Sequence, residues 1–432
     1  MNLLVGLIGI GILLFLIMLR MPIGFAMALV GLCGFSFIIS PSAGLSLLAK
    51  DMFNTFNSYS LTVVPLFVLM GQICFHSGLG ERVYRATYKI LGRFPGGLTM
   101  ATIAGCAGFA SICGSTTATA ATMGTVTLPE MKKYHYDPAL ATGAVAAGGT
   151  LGILIPPSSI FIIYGIMTQQ SIGKLFFAGI IPGIILTALF IITIYVLCRR
   201  NPHLGPAGAP ATMGEILRTL TGLGETIVLF ALVMGGLFIG WFTPTEAGGI
   251  GAFGALALGV ATRRLTWKDF LLSLDQTIRT SCMIFIIVGG AVIFGRFLTV
   301  TRIPFELAAW VNGLPLPPLL ILACIILIYA FGGLFMDALA FMMLTISIFF
   351  PVAMRLGYDP IWFGVLIVIV TEIGAITPPV GINVFVISGV AKDVPIQEIF
   401  KGILYFLTAF VVLMILLICF PQIALFLPAL VG

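Results

Sequence analysis

The stretch "TEIGAITPPVGINVF", Thr371–Phe385, places a carboxylate, an adjacent Pro-Pro pair and an Asn inside an otherwise apolar segment. Proline within a spanning helix removes a backbone donor and clashes with the preceding turn, freeing carbonyls that lipid cannot satisfy. The same device occurs earlier, in "GGTLGILIPPSS", Gly148–Ser159, and the two Pro-Pro pairs lie 222 positions apart. That spacing recurs: "YDP" at Tyr136–Pro138 returns at Tyr358–Pro360, Pro129 answers Pro351, Gly152 answers Gly374, and Pro22 answers Pro244. Landmarks held at one spacing without an indel point to an internal duplication, with one half over residues 1–205 and the other over 206–432. Paired Pro- and Gly-interrupted apolar segments at corresponding places in two halves mark an inverted-repeat carrier, whose broken helices form a site near the bilayer midplane.

The composition agrees with a chain built for lipid. Charged residues make up 8% of it, against about 25% in soluble domains, and the mean hydropathy is +1.18. Apolar stretches such as Leu3–Leu19, Ile180–Leu197, Thr226–Phe242 and Ile403–Phe420 approach the length a helix needs to cross a bilayer. Barrel strands would instead alternate over short segments, so the fold class is an all-α polytopic membrane protein. The first apolar segment lacks a basic leader and a small-residue cleavage site, and it is read as the first membrane helix.

Five crossings are expected in the first half, near 3–19, 22–40, 60–78, 139–166 and 176–198, with a re-entrant hairpin over 96–128. An odd number inverts the second copy, whose hairpin is expected over 316–353 and whose broken helix over 361–390. With the N-terminus outside, sixteen of the 21 basic residues fall on the cytoplasmic side, among them Arg82, Lys132, Arg199, Arg218, Arg264 and Lys392. The net charge of +6 is thereby explained by topology rather than by a nucleic-acid partner. The pattern of Gly80–Gly97 suits an amphipathic helix along that interface.

Chemistry-bearing residues gather at the hairpins and breaks. "ASICGSTTATAATMG", Ala110–Gly124, strings Ser111, Ser115, Thr116, Thr117 and Thr119 among small residues. Neutral oxygens on a closely approachable backbone suit a hard cation, although such hydroxyls also serve as helix glue. The second hairpin reads "FGGLFMDALAFMM", and Asp337 follows Ser115 by 222 positions. A carboxylate in an apolar segment is costly and points to function. Glu372 beside the second break ranks below it, because it could face a helix dipole or a basic partner, and Glu246 ranks lower again. The eight cysteines show no C-x-x-C spacing and read as packing residues, and His76, His135 and His203 show no ligand spacing. The absence of H-E-x-x-H, of G-x-G-D and of a Ser–His pair argues against an intramembrane enzyme, for which Asp337 with Glu372 would be the one acid pair.

The run "GSTTATAATMGTVTLPEMKKYHYDPALATGAVAAGGTLGILIPPSS" together with "TEIGAITPPVGINVF" resembles the large membrane subunit of the tripartite ATP-independent periplasmic (TRAP) transporters, over essentially the whole chain. The resemblance implies an elevator-type carrier with a scaffold and a mobile domain of two hairpins and two broken helices, in the bacterial cytoplasmic membrane with a periplasmic N-terminus. It implies sodium coupling through at least two sites, a small four-helix membrane subunit on a separate chain, and a periplasmic binding protein. That protein would deliver an organic anion carrying a carboxylate, of the sialic acid or C4-dicarboxylate type. One sodium site is expected at Ser111, Gly114, Gly149, Gly152 and Pro156. The other is expected at Gly332, Gly333, Asp337, Thr371, Gly374 and Thr377. Substrate is expected at Ser115, Thr116, Pro157, Ser158 and Asn383. The rival reading is a sodium/dicarboxylate symporter that needs no soluble partner.

Overall fold

A computed structural model describes residues 2–208, 212–313 and 315–430. Residues 209–211 of the expected mid-chain loop and the side chain of Arg218 lie outside the described residues. The described residues form α-helices with short 3-10 and π turns and no strand. The first half contains α1 (Asn2–Met18), α2 (Ile23–Ile38), α3 (Pro41–Phe56), α4 (Val63–His76), α5 (Leu79–Leu91), α6 (Gly97–Cys113), α7 (Thr116–Lys133), α8 (Pro138–Leu154), α9 (Ser159–Thr168) and α10 (Ile172–Arg200). The second contains α11 (Met213–Phe230), α12 (Gly236–Ile239), α13 (Pro244–Ala261), α14 (Trp267–Thr301), α15 (Ile303–Gly313), α16 (Pro318–Gly333), α17 (Ala338–Arg355), α18 (Pro360–Ile376), α19 (Ile382–Val390), α20 (Ile396–Cys419) and α21 (Gln422–Leu430). Six described stretches are long and apolar enough to cross a membrane, among them Pro138–Thr168, Ile172–Arg200 and Trp267–Thr301.

Local chemistry explains where the helices start. In both "YDP" motifs the Asp is an N-cap and the Pro takes the first helical position, where its missing N–H costs nothing. Asp137 accepts from Leu140 N at 2.8 Å, and Asp359 accepts from Ile361 N at 2.8 Å and Trp362 N at 3.0 Å. Glu246 forms a capping box with Thr243 at the start of α13, which assigns it a structural role on the surface. Shifted by 222, the bounds of α7 fall on those of α17 and the bounds of α8 on those of α18. The same shift carries α3 and α4 together onto α14, which runs unbroken for 35 residues.

The reading of five crossings left α3 out, because its sequence is far less apolar than its neighbours. It is a helix capped by Ser40 with Pro41 at its start. A second correction concerns the cysteines. Cys74, Cys106, Cys113 and Cys198 are buried, but Cys33, Cys282, Cys324 and Cys419 are exposed and pack nothing in this chain.

Two helix groups frame the interior. In the outer group α14 packs on α2, and α4 packs on both α13 and α14. Small residues let these backbones meet: a Cβ at Gly24 would touch the Ile286 carbonyl at 2.8 Å. In the inner group α8 is surrounded by α6, α7 and α20 and is buried along almost its whole length. The ion cluster of Arg82, Glu225 and Arg264 ties α5 to the outer group, with Arg82 Nη2 2.6 Å from Glu225 Oε2.

Candidate functional site

Between the outer wall of α4 and α14 and the inner group lies a cavity of about 470 Å³, lined by the α6–α7 turn, the start of α17, and parts of α8, α9, α18 and α19. Helix breaks bring these pieces together. The α6–α7 turn uses Gly114 at φ 63, and its carbonyl accepts from Ser159 Oγ at 3.2 Å. A Cβ on Gly114 would sit 2.6 Å from the Pro157 carbonyl, so the turn is seated directly in the first break. Gly152 lies against the Ser115 carbonyl, and Gly149 lies against Thr116 O and Asn383 Nδ2. The second turn docks likewise: a Cβ on Gly333 would stand 3.2 Å from Thr371 O and 3.1 Å from Gly374 Cα.

The Asp and Glu side chains that line this cavity are Asp337 and Glu372. Asp337 is exposed to it and caps α17, accepting from Leu339 N at 3.1 Å and Ala340 N at 3.4 Å. Glu372 is 1% exposed, and it faces no basic partner. Its Oε2 accepts from Thr116 Oγ1 at 3.0 Å, and its Oε1 has no partner. Asn383 is fully buried; its Nδ2 donates to Ala146 O at 3.1 Å, while Oδ1 is unpartnered. Among the described residues no Arg, Lys or His lines the cavity. Buried oxygen acceptors that lack a donor, beside two acidic side chains, fit a hard monovalent cation. The described residues hold no cluster of three or more His, Cys, Asp or Glu that would bind a transition metal.

The expected site residues divide accordingly. Ser115, Thr116, Gly114, Asp337 and Asn383 line the cavity, and Gly149, Gly152, Gly333, Thr371 and Gly374 pack immediately behind it. Ser111 turns its hydroxyl to Gly108 O at 2.8 Å within its own helix. Thr371 and Thr377 do the same, donating to Ile367 O and Ile373 O respectively, which uses the hydroxyl hydrogen and leaves the oxygen lone pairs free. Gly332 lies under the Phe341 ring, away from that group, and Pro156 is buried in the break. Pro157 and Ser158 do not line the cavity: Ser158 is buried and caps α9, accepting from Phe161 N at 3.3 Å. The next residue, Ser159, reaches the cavity instead. Gln72, Gln276 and Thr280 on the outer wall were not singled out in the sequence, and Glu372 stands more centrally than its rank there.

The chain matches the family described as "Tripartite ATP-independent periplasmic transporter, DctM component" over residues 10–423. It is 34% identical over 396 residues to the C4-dicarboxylate TRAP transporter large permease protein DctM of Pseudomonas aeruginosa, covering 91% of this chain and 92% of that protein. It is 32% identical over 413 residues to the sialic acid TRAP transporter large permease protein SiaM of Vibrio cholerae, covering 95% of each. Against the isethionate TRAP transporter permease protein DctMQ of Oleidesulfovibrio alaskensis it is 31% identical over 406 residues, covering 94% of this chain and 63% of that protein. Among solved structures it is similar in fold to the Alcanivorax borkumensis YdaH transporter, with a TM-score of 0.63 at 16% identity, covering 88% of this chain and 90% of that one.

Proposed function

Since the chain belongs to the DctM component family of the tripartite ATP-independent periplasmic transporters, a family of multi-pass membrane transporters rather than enzymes, we propose that it drives sodium-coupled uptake of an organic anion carrying a carboxylate. The relatives' substrates suggest a C4-dicarboxylate or sialic acid. The observation that carries this reading is the charge of the cavity: two carboxylates and unpartnered oxygens, with no basic side chain. Such a wall repels a carboxylate anion until cations enter with it.

In this reading sodium binds first. It engages the backbone oxygens where the α6–α7 turn meets the first break and where Gly333 meets Thr371 and Gly374. The bound charge offsets Asp337 and Glu372 and orders both turns, and the anion then completes the site. The inner group, with its hairpins and breaks, moves as the elevator against the outer group. The membrane is the bacterial cytoplasmic membrane, with the N-terminus periplasmic. A small four-helix subunit on a separate chain and a periplasmic binding protein complete the carrier.

The test is uptake of radiolabelled carboxylates into proteoliposomes holding this chain, the small subunit and the binding protein, with and without a sodium gradient. Uptake that needs both sodium and the binding protein is expected. Sodium-driven uptake indifferent to the binding protein would replace the tripartite reading with a stand-alone symporter.

A further inference from the structure

A carboxylate bound in this cavity needs hydrogen-bond donors. The inner side offers the hydroxyls of Ser115, Thr117 and Ser159; among the described residues no Arg, Lys or His lines it, and its side-chain N–H groups are the amides of Gln72, Gln276 and Asn383. Asn383 gives one of its two Nδ2 hydrogens to Ala146 O and belongs to the inner group. The two glutamines are the amides of the outer wall, Gln72 on α4 and Gln276 on α14, opposite the hairpin turns.

Gln276 is held in a defined orientation. His76, in the last turn of α4, places Nε2 3.1 Å from Gln276 Oε1 across the α4–α14 contact. With the histidine donating to Oε1, the amide nitrogen is left with two hydrogens and no protein partner among the described residues. Gln72 makes no side-chain bond among the described residues either, and both glutamines are half-buried. The wall is also one-sided. At the 222 spacing Gln72 corresponds to Phe294, which is 1% exposed in the core, and Gln276 to Asn54, which is exposed. A polar pair that the duplication does not require, turned toward a cavity without a described basic side chain, needs a reason of its own.

We infer that Gln72 and Gln276 form a neutral donor pair on the outer wall that receives the oxygens of the transported anion. The inference rests on the proposed function and adds the wall-side contact to it. Neutral amides suit a carrier: bonds to a carboxylate from uncharged donors are weaker than those from arginine, so the anion is recognised without being trapped.

The test uses isosteric Gln276→Glu and Gln72→Glu in proteoliposomes with the small subunit and the binding protein, assayed with [14C]succinate and with [14C]N-acetylneuraminate. Glutamate at 276 still accepts from His76 but removes both N–H donors and adds a charge, so the donor role is read together with the neutral Gln276→Leu, for which a merely structural role predicts a lowered thermal midpoint with unchanged uptake efficiency. A donor role predicts a loss of uptake efficiency, maximal rate over half-saturation, of about tenfold or more for each substitution. The thermal midpoint should stay at the wild-type value, and so should the sodium half-saturation of Gln276→Leu, which adds no charge; the glutamate variants add one to the cavity and should lower it. Gln276→Leu, which removes the donor without adding charge, is expected to act in the same direction and covers the case in which the glutamate variant does not fold. Uptake efficiency within twofold of wild type in the folded variants would overturn the inference. Wild-type protein that takes up neither anion with sodium would overturn the functional reading, and this inference with it.

Discussion

Replacing Glu372 by Gln isolates the charge that the sodium reading depends on. The substitution keeps shape and keeps an oxygen to accept from Thr116 Oγ1, now 3.0 Å from Oε2, so packing changes little. The cavity volume of about 470 Å³ equals a sphere roughly 10 Å across, which sets the range of any cation inside it at about 5–10 Å from the carboxylate. At an effective dielectric constant of about 20, one charge at that range contributes about 1.7–3.3 kcal/mol, or roughly 15- to 300-fold in cation affinity. Asp337→Asn is the partner experiment, because Asn caps a helix as well as Asp and the turn at α17 is preserved. Two readouts suit the question. The sodium half-saturation of uptake should rise at least tenfold in each variant. The sodium-dependent rise in thermal midpoint, which follows bound ligand directly, should move to correspondingly higher concentration. A sodium titration unchanged in both variants would show that these carboxylates do not attract the coupling ion, and would remove the electrostatic basis of the cation-first order.

Other predictions concern packing and the surface. Thr116→Val deprives Glu372 of its one side-chain donor and leaves a buried carboxylate without partners, so the unfolding free energy should fall by about 1–3 kcal/mol in detergent. Gly374→Ala drives a Cβ into the Gly333 backbone, where no flexible side chain can yield, and overpacking of about 1–3 kcal/mol should lower the thermal midpoint. Gly11→Ala, where a Cβ meets nothing within 4 Å, should leave the midpoint unchanged or raise it, which controls for a general effect of added methyls. In the exposed ion pair of Lys132 and Asp393, the bond from Lys132 holds the Asp393 carboxyl below the usual carboxylate range. Its contribution is therefore present above the unfolded carboxylate value of about 3.9 and disappears as pH falls through the lower folded value. Lys132→Gln should differ slightly from wild type in thermal midpoint at neutral pH and coincide with it at the acid end of a pH series.

What the sequence made legible was local. Helix breakers and caps act over a few residues, so the Pro-Pro breaks, the hairpin turns at Ser115 and Asp337, and the starts at Asp137 and Asp359 stand in the letters themselves. The same rules would have separated Ser158 from Ser159: a serine just before an apolar run caps it and turns its hydroxyl inward, and the next residue is then free to face the ligand. The burial of the two acids was not legible, because burial is tertiary. Asp337 interrupts an apolar segment and so looked costly, yet it lies at a turn facing the cavity; Glu372 is the acid buried at 1% exposure. Gln72 and Gln276 had no local signal, since only the packing of α4 on α14 turns two unremarkable amides toward one space.

The two breaks carry the same sequence device and stand in different surroundings. Pro156 and Pro157 are buried, and the first turn is interlocked with them through Gly114 and Gly152; Pro378 and Pro379 are exposed. Propensity cannot produce this difference, because both segments break at the same offset and both are flanked by helices of matching bounds. It arises from what packs around each break: the α6–α7 turn meets Pro157 through Gly114, and α10 lies against Leu154 and Ile155 through Gly179 and Gly183. Under the proposed function, that asymmetry is what a single stroke must exchange: covering the second break and uncovering the first turns one face of the site into the other, without refolding either segment.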